Sequence, residues 1–361
     1  MEILKAEIHG RIGTFKIDVN LTLDEGFGVI FGPSGAGKSM TLRYIAGLER
    51  PHSGLIEING RTLFSSDKGV NLPPYKRKTA MVFQDLALFP NMTVSGNILY
   101  GMDGEEHGRR LGELIELFRL RGLEDRLPSE LSGGQRQRTA LARTFACEPE
   151  LVLMDEPFSS LDLPLRRNLR REIRLLQKAI GTPVLYVTHD VEDIFSMGKT
   201  VFFLKDGQLI RQVESSDLMS PGKAPELFQF LDIGTRVSGL LEFSGGRIHL
   251  VWPEGRLVVP GASVEDAGLG DGDRAAVIIA PEDVKLLYPD IPVDPRLLGN
   301  TFSGAIVDRG FSNGMRSLHL ESSGLLWQTV FGSRSYTELL GGNPAGIGFG
   351  VDTENAVLFP A

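Results

Sequence analysis

Short apolar runs and helical stripes alternate along the first two thirds of the chain. Val29-Ile30-Phe31 breaks into glycines, and Leu151-Val152-Leu153-Met154 and Val184-Leu185-Tyr186-Val187 are runs of the same kind. Continuous apolar runs of that length predict strands buried on both faces. Leu111, Leu114, Ile115 and Phe118 recur at helical spacing on one face. A longer helix is predicted over Leu163 to Ile180, with Leu165, Leu169, Ile173 and Leu176 as its apolar stripe. Arg166, Arg167, Arg170, Arg171 and Arg174 crowd that helix and read as a solvated face rather than a nucleic-acid patch. Further helices are predicted over Met40 to Leu48 and Arg136 to Ala146, and an early strand over Gly10 to Val19. This alternation predicts an α/β core with a largely parallel sheet.

The pattern changes near Thr235. From there on, short alternating segments are divided by turn signals: Ser244-Gly245-Gly246, Pro253-Glu254-Gly255, Asp271-Gly272 and Asn313-Gly314. They predict a small all-β domain, read as a barrel of the OB type. Residues 1–234 are therefore expected to form one domain, with a helical subdomain over about 86–148, and 235–361 the other. The segment Pro289 to Pro295 is expected to link two parts of the β domain.

Composition narrows the function classes. With 361 residues, 42% hydrophobic and 23% charged, the chain is an ordinary globular one, long enough for two cores. Its longest apolar runs, such as Ala275 to Ala280, fall short of the roughly 20 residues a membrane-spanning helix needs. The start Met1-Glu2-Ile3-Leu4-Lys5 lacks the features of a signal peptide. Cys147 is the only cysteine, so no intrachain disulfide forms, and a reducing cytosol is expected. A net charge of −8 argues against broad nucleic-acid binding. The β region is itself acidic, with 9 Lys and Arg against 15 Asp and Glu, so no nucleic-acid partner is expected.

The chemistry begins at Gly32-Pro33-Ser34-Gly35-Ala36-Gly37-Lys38-Ser39, which follows a predicted strand and precedes a predicted helix starting at Met40. Glycines let the backbone turn tightly enough to aim several N–H groups at a phosphate, where a helix N-terminus adds positive character. In such a loop Lys38 reaches the β- and γ-phosphates and the Ser39 hydroxyl ligates Mg²⁺. The strand over 151–154 ends in Asp155-Glu156. On its own, that is how many strands leave a core. Beside a phosphate loop, Asp155 is placed to hold Mg²⁺ and Glu156 to orient or deprotonate the attacking water. Leu131-Ser132-Gly133-Gly134-Gln135 sets Ser132 and two glycines at a helix N-terminus, suited either to an anion or to ordinary capping.

On these residues the chain resembles the ATP-binding cassette family, whose signature is Leu131-Ser132-Gly133-Gly134-Gln135. The other family motifs follow in order: Gln84 after Met81-Val82-Phe83, Ser159-Ser160-Leu161-Asp162 after the carboxylates, and His189 in Thr188-His189-Asp190. The resemblance implies a P-loop NTPase cassette, a RecA-like core plus a helical subdomain, followed by an OB-like transport-associated domain. It further implies a homodimer sandwiching two ATP molecules. There the phosphate loop of one chain faces Ser132, Gly133, Gly134 and Gln135 of the other, and Asp162 crosses the interface. Gln84 would touch Mg²⁺ and the attacking water, and His189 the γ-phosphate. Gly32 to Met40 would cradle the nucleotide. The aromatic side chain that stacks on adenine in this family is represented by either Arg11 or Phe15 in the early strand, Phe15 being equally suited to the core.

Within that family, the short interval between phosphate loop and signature excludes the long coiled coil of DNA-repair members. A single cassette sets the chain apart from translation-factor members, and the absence of a fused membrane domain from exporters. A cassette followed by a β domain resembles prokaryotic importer ATPases, peripheral to the cytoplasmic face of the inner membrane. Their partners are permease subunits and, indirectly, a solute-binding protein. Arg11 to Phe15 and the run Val82 to Gly101 look most like molybdate importers, with tungstate, sulfate, ferric iron and polyamines left open as solutes. Leu88, Phe89 and Met92 would either receive a helix of the membrane subunit or pack inside the helical subdomain. The oxyanion-binding Ser-x-Arg-Asn segment of that group is matched only by Leu297-Leu298-Gly299-Asn300, which keeps the Asn alone. A cassette acting on a soluble partner, and a P-loop kinase, are the rival readings.

Overall fold

A computed structural model describes residues 2–102, 107–158, 163–219, 234–288, 291–312, 315–331, 346–354, 356 and 358–361. The chain forms two compact units, Met1–Ser216 and Asp217–Ala361. The boundary expected at 234/235 follows residues 220–233, which lie outside the described residues, as does the Asn313-Gly314 turn.

The first unit is built on an eleven-stranded mixed sheet. Its strands are β1 (Leu4–Ile12), β2 (Phe15–Leu23), β3 (Phe27–Phe31), β4 (Ser53–Ile58), β5 (Arg61–Ser65), β6 (Val70–Asn71), β7 (Thr79–Val82), β8 (Leu151–Asp155), β9 (Val184–Thr188), β10 (Thr200–Lys205) and β11 (Gln208–Glu214). They lie in the order β6-β5-β4-β1-β2-β11-β10-β3-β9-β8-β7. The three apolar runs form β3, β9 and β8, buried at every position and paired in parallel. The single early strand expected over Gly10 to Val19 is instead the hairpin β1–β2. Ile12 pairs with Phe15, and Gly13, at φ 57°, supplies the left-handed turn that reverses the chain.

Helix α1 (Lys38–Ala46) follows β3, and α2 (Val94–Leu99), α3 (His107–Leu117) and α4 (Gly133–Ala146) pack on one another between β7 and β8. The predicted face of α3 is buried at Leu114 and Ile115, with Phe118 just beyond it. Helix α5 (Leu163–Ile180) has its expected bounds and buries Leu169 and Ile173, while α6 (Val191–Met197) follows β9.

Among its described residues, the second unit is all-β apart from the short helix α7 (Gly261–Asp266) and single turns of 3₁₀ helix. One antiparallel sheet orders β14 (Gly255–Val259), β13 (Arg247–Trp252), β12 (Thr235–Ser244), β15 (Arg274–Ile279) and β21 (Leu358–Pro360). The other orders β16 (Val284–Leu286), β20 (Ile347–Val351), β17 (Thr301–Ser312), β18 (Met315–Ser322) and β19 (Leu325–Phe331). The two sheets share one apolar core in which Trp327 and Phe349 are wholly buried. An OB-like closure of this kind hides inward faces and leaves few free edges.

Candidate nucleotide site

Parallel strands β3, β9, β8 and β7 are neighbours, and each delivers one motif at its carboxyl end. Residue pairing fixes the row: Phe31 lies opposite Thr188, Asp155 opposite Val187, and Val82 opposite Met154. The phosphate loop, His189, Asp155-Glu156 and Gln84 therefore leave one edge of the sheet side by side. Ligands of open parallel sheets bind at that edge.

The loop between β3 and α1 is shaped by its glycines. A Cβ on Gly32 would stand 2.2 Å from the Leu204 carbonyl oxygen, so only glycine fits there. Gly37 sits at φ 96° as the residue that starts α1, a left-handed conformation costly for any other residue. The buried Lys38 ammonium donates to the carbonyls of Gly32 at 2.8 Å and Pro33 at 3.0 Å, folding back over the loop. Burial lowers its pKa, opposed by the nearby carboxylates of Glu156 and Asp155.

Ser39 Oγ donates to Asp155 Oδ1 at 2.7 Å, joining loop and strand end across 116 positions of sequence. Asp155 is 8% exposed, and burial pushes its pKa up, partly offset by the Ser39 hydrogen bond. A hydroxyl and a buried carboxylate oxygen side by side are the hard, partial ligand set that Mg²⁺ takes from a protein when phosphates and water complete its shell. The donors thus fit the expected ion, although no group of three or more His, Cys, Asp or Glu placed to hold a metal occurs among the described residues. Next to Asp155, Glu156 has φ 43°, a strained backbone for a non-glycine residue and typical of functional turns. Its Oε1 lies 3.0 Å from His189 Nδ1, so β8 and β9 deliver two titratable groups in contact.

Gln84, at the same edge, is exposed just beyond the end of β7. The remaining expected residues fall elsewhere. Ser132 caps α4 in a reciprocal box, accepting from the Gln135 N–H at 3.3 Å while Gln135 Oε1 accepts from the Ser132 N–H at 2.8 Å. Gly134 faces Leu165 of α5. Asp162 lies outside the described residues. Arg11 is exposed and its Nε donates to Gly13 O at 2.7 Å. Phe15 packs against the main core, with its ring 3.4 Å from where a Cβ on Gly37 would be.

A groove of about 1200 Å³ opens in the first unit, lined in part by Phe83, Ala87, Phe89, Tyr100, Arg143 and Cys147. Leu88, Phe89 and Met92 are half-buried. Phe89 packs on Tyr100, their ring centres 4.4 Å apart, under the Arg143 guanidinium. Arg143 also donates to the carbonyls of Ala87 and Leu86, two residues at positive φ. In the second unit, Asn300 is 3% exposed and its amide is engaged: Oδ1 accepts from Val258 N–H, and Nδ2 donates to Val258 O and Thr353 Oγ1.

The arginine-rich face of α5 is solvated only in part: Arg167, Arg171 and Arg174 are exposed as expected, but Arg170 is 3% exposed, and Arg166, Arg167, Arg170 and Arg174 all reach the segment 190–196. The available signal was their spacing of four, matched by the acidic cluster Asp190, Glu192 and Asp193 further along the chain.

The ABC transporter family pattern matches residues 17–159. Molybdenum import ATP-binding protein ModC of Salmonella choleraesuis (strain SC-B67) is 40% identical over 225 residues, 61% of this chain and 64% of that protein. The first relatives are thus matched over somewhat less than two thirds of their length. ModC of Shigella flexneri is 33% identical over 91% of this chain and 92% of its own. Spermidine/putrescine import ATP-binding protein PotA of Acetivibrio thermocellus is 36% identical over 75% of each chain.

Proposed function

We propose that this chain, which belongs to the ABC transporter family, is the ATP-hydrolysing subunit of an importer that works as a homodimer against membrane-embedded permease subunits. The observation that carries the reading is the row of motifs at the ends of β3, β9, β8 and β7, tied by the Ser39–Asp155 hydrogen bond. Residues 1–234 are assigned to the cassette and 235–361 to a transport-associated β domain. No helix among the described residues is long and apolar enough to cross a membrane. By its likeness to the import ATP-binding proteins ModC and PotA, the chain is assigned a peripheral position on the cytoplasmic face.

In this mechanism the N–H groups of Gly35 to Ser39 and the start of α1 hold the phosphates, and Lys38 swings from the Gly32 and Pro33 carbonyls onto the β- and γ-phosphates. Ser39, Asp155 and Gln84 would hold Mg²⁺, which when bound would supply positive charge against the phosphates. Glu156 orients the attacking water and takes its proton. His189, in contact with Glu156 through Nδ1, presents its other ring nitrogen to the γ-phosphate. Ser132 to Gln135 of a second chain close the site from the far side, with Asp162 at the interface. Arg11 or Phe15 receives the adenine. The groove beside Phe89 and Tyr100, partly apolar and edged by both arginines and the carboxylates Glu113 and Glu148, suits an amphipathic helix from the permease.

Molybdate is the solute we favour, on the strength of the two ModC relatives. A polyamine is the second reading, favoured by the PotA relative. Asn300 bonds β14 to its neighbours with every amide atom, which argues against its holding an oxyanion.

The test uses Glu156→Gln, which keeps shape and loses the base. Hydrolysis by the purified variant is expected to fall by roughly 10²- to 10⁴-fold while ATP binding and an ATP-dependent dimer persist. Turnover at the wild-type rate would refute the role. Cells carrying the same change, grown on limiting molybdate, are expected to lose molybdenum selectively. Loss of polyamine uptake instead would keep the motor and move the solute.

A further inference from the structure

His189 is 54% exposed along its side chain, and the contact to Glu156 alone does not fix where its backbone runs. Its two neighbours, however, are anchored. The Thr188 hydroxyl donates to Asp193 Oδ2 and accepts from the Asp190 N–H at 2.9 Å. Asp190 Oδ1 caps α6 by accepting from the Glu192 N–H at 2.9 Å. Tyr186, on β9, donates from its hydroxyl to Asp193 Oδ2 at 2.8 Å. The segment from 186 to 193 is thus a loop of polar bonds with the imidazole at its apex.

All three carboxylates of that loop converge on one guanidinium. Arg170 donates from Nη2 to Asp190 Oδ2 at 2.6 Å and from Nη1 to Glu192 Oε2 at 2.8 Å, and its Nε pairs with Asp193 Oδ1. Arg166 adds a bond to Asp190 Oδ2 at 3.0 Å and Arg167 one to Glu192 Oε1 at 3.0 Å. Three guanidiniums face three carboxylates, with Arg170 at the buried centre and the others toward solvent. A planar guanidinium spreads its N–H donors widely enough to reach three separate carboxylates, where an ammonium offers its three donors from a single nitrogen.

We propose that Arg170 is a positioning residue for His189: by gripping Asp190, Glu192 and Asp193 it sets the backbone path on which the imidazole is presented. The inference rests on the reading of His189 as a γ-phosphate contact. A network that merely held the fold would affect stability and leave the rate alone. A network that aims His189 affects kcat, because a group displaced by about 1 Å from its productive place costs up to roughly 100-fold in rate. It spares nucleotide affinity, since Lys38 and the phosphate loop lie on other elements.

The test compares Arg170→Lys in the wild-type and His189→Ala backgrounds, in the full chain with Mg–ATP. Lysine keeps the charge and offers one ammonium in place of the fork. With His189 present, kcat is expected to fall roughly 10- to 100-fold with KM for ATP unchanged to about twofold. In the His189→Ala background the same substitution is expected to have no further effect. Wild-type kcat in Arg170→Lys, or an equal loss in both backgrounds, overturns the proposal and leaves the role of His189 standing. Wild-type hydrolysis by His189→Ala itself overturns both. Should Arg170→Lys not fold, Asp190→Asn gives the same comparison, since its amide oxygen still caps α6 while the charge facing Arg170 and Arg166 is gone.

Discussion

Asp155 carries a cost that its partners only partly offset. Burial raises its pKa above the ordinary 3.8, with the Ser39 hydrogen bond pulling the other way. The folded chain therefore holds that proton more tightly than the unfolded chain does. Its contribution to stability falls as pH rises from 3.8 through the higher folded value, and stays at the lower level at neutral pH. Asp155→Asn removes the charge and keeps an oxygen for Ser39. It is expected to raise the thermal midpoint of the nucleotide-free chain by a few degrees, on the order of 1 kcal/mol, while abolishing Mg²⁺-dependent hydrolysis. A lower midpoint in a melting curve at neutral pH would show that the charge is stabilising instead. At this scale the sequence was informative for residues whose type and order define a motif, such as Lys38, Ser39 and Asp155. It placed Arg170 on a solvated face and was silent on the role of Asn97, because their partners come from a turn or helix formed only after folding.

Among the elements, the stretch from Gln84 to Tyr100 depends most on a single side chain. Asn97 of α2 is fully buried, accepts from the Phe89 N–H at 2.9 Å, and donates to the carbonyls of Phe89, Met92 and Thr93. Backbone polar groups in an irregular loop need such partners, since no ladder supplies them. Asn97→Ala leaves several unpaired and is expected to destabilise the loop by about 1–3 kcal/mol. Hydrogen exchange at Phe89 should accelerate while ATP affinity stays near wild type; protection retained at Phe89 would show that another contact holds the loop. Strands β3, β8 and β9 were legible because their apolar runs are uninterrupted. The β1–β2 hairpin was not, because Gly13 alone marks the turn between its two strands.

At the scale of the whole molecule, the described residues of each unit carry an apolar core, one drawing on Leu4, Leu153 and Phe202 and the other on Leu250, Trp327 and Phe349. Two cores predict two heat-absorption transitions in calorimetry. ATP with Mg²⁺ at about 100 times its Kd is expected to raise only the transition of Met1–Ser216, by about 2.7 kcal/mol of stabilisation. Both transitions moving together would mean that the units unfold as one. The division into an α/β part and a β part was readable from the change in period near Thr235. The presence of two five-stranded sheets in the second part was not, since turn signals mark hairpins and leave sheet membership open. One cysteine in 361 residues has a practical side as well. Cys147 is exposed at the lining of the groove beside Phe89 and Tyr100. The natural protein therefore comes with a built-in attachment point, where a maleimide fluorophore reads out arrival in that groove by a change of brightness and no engineering is required.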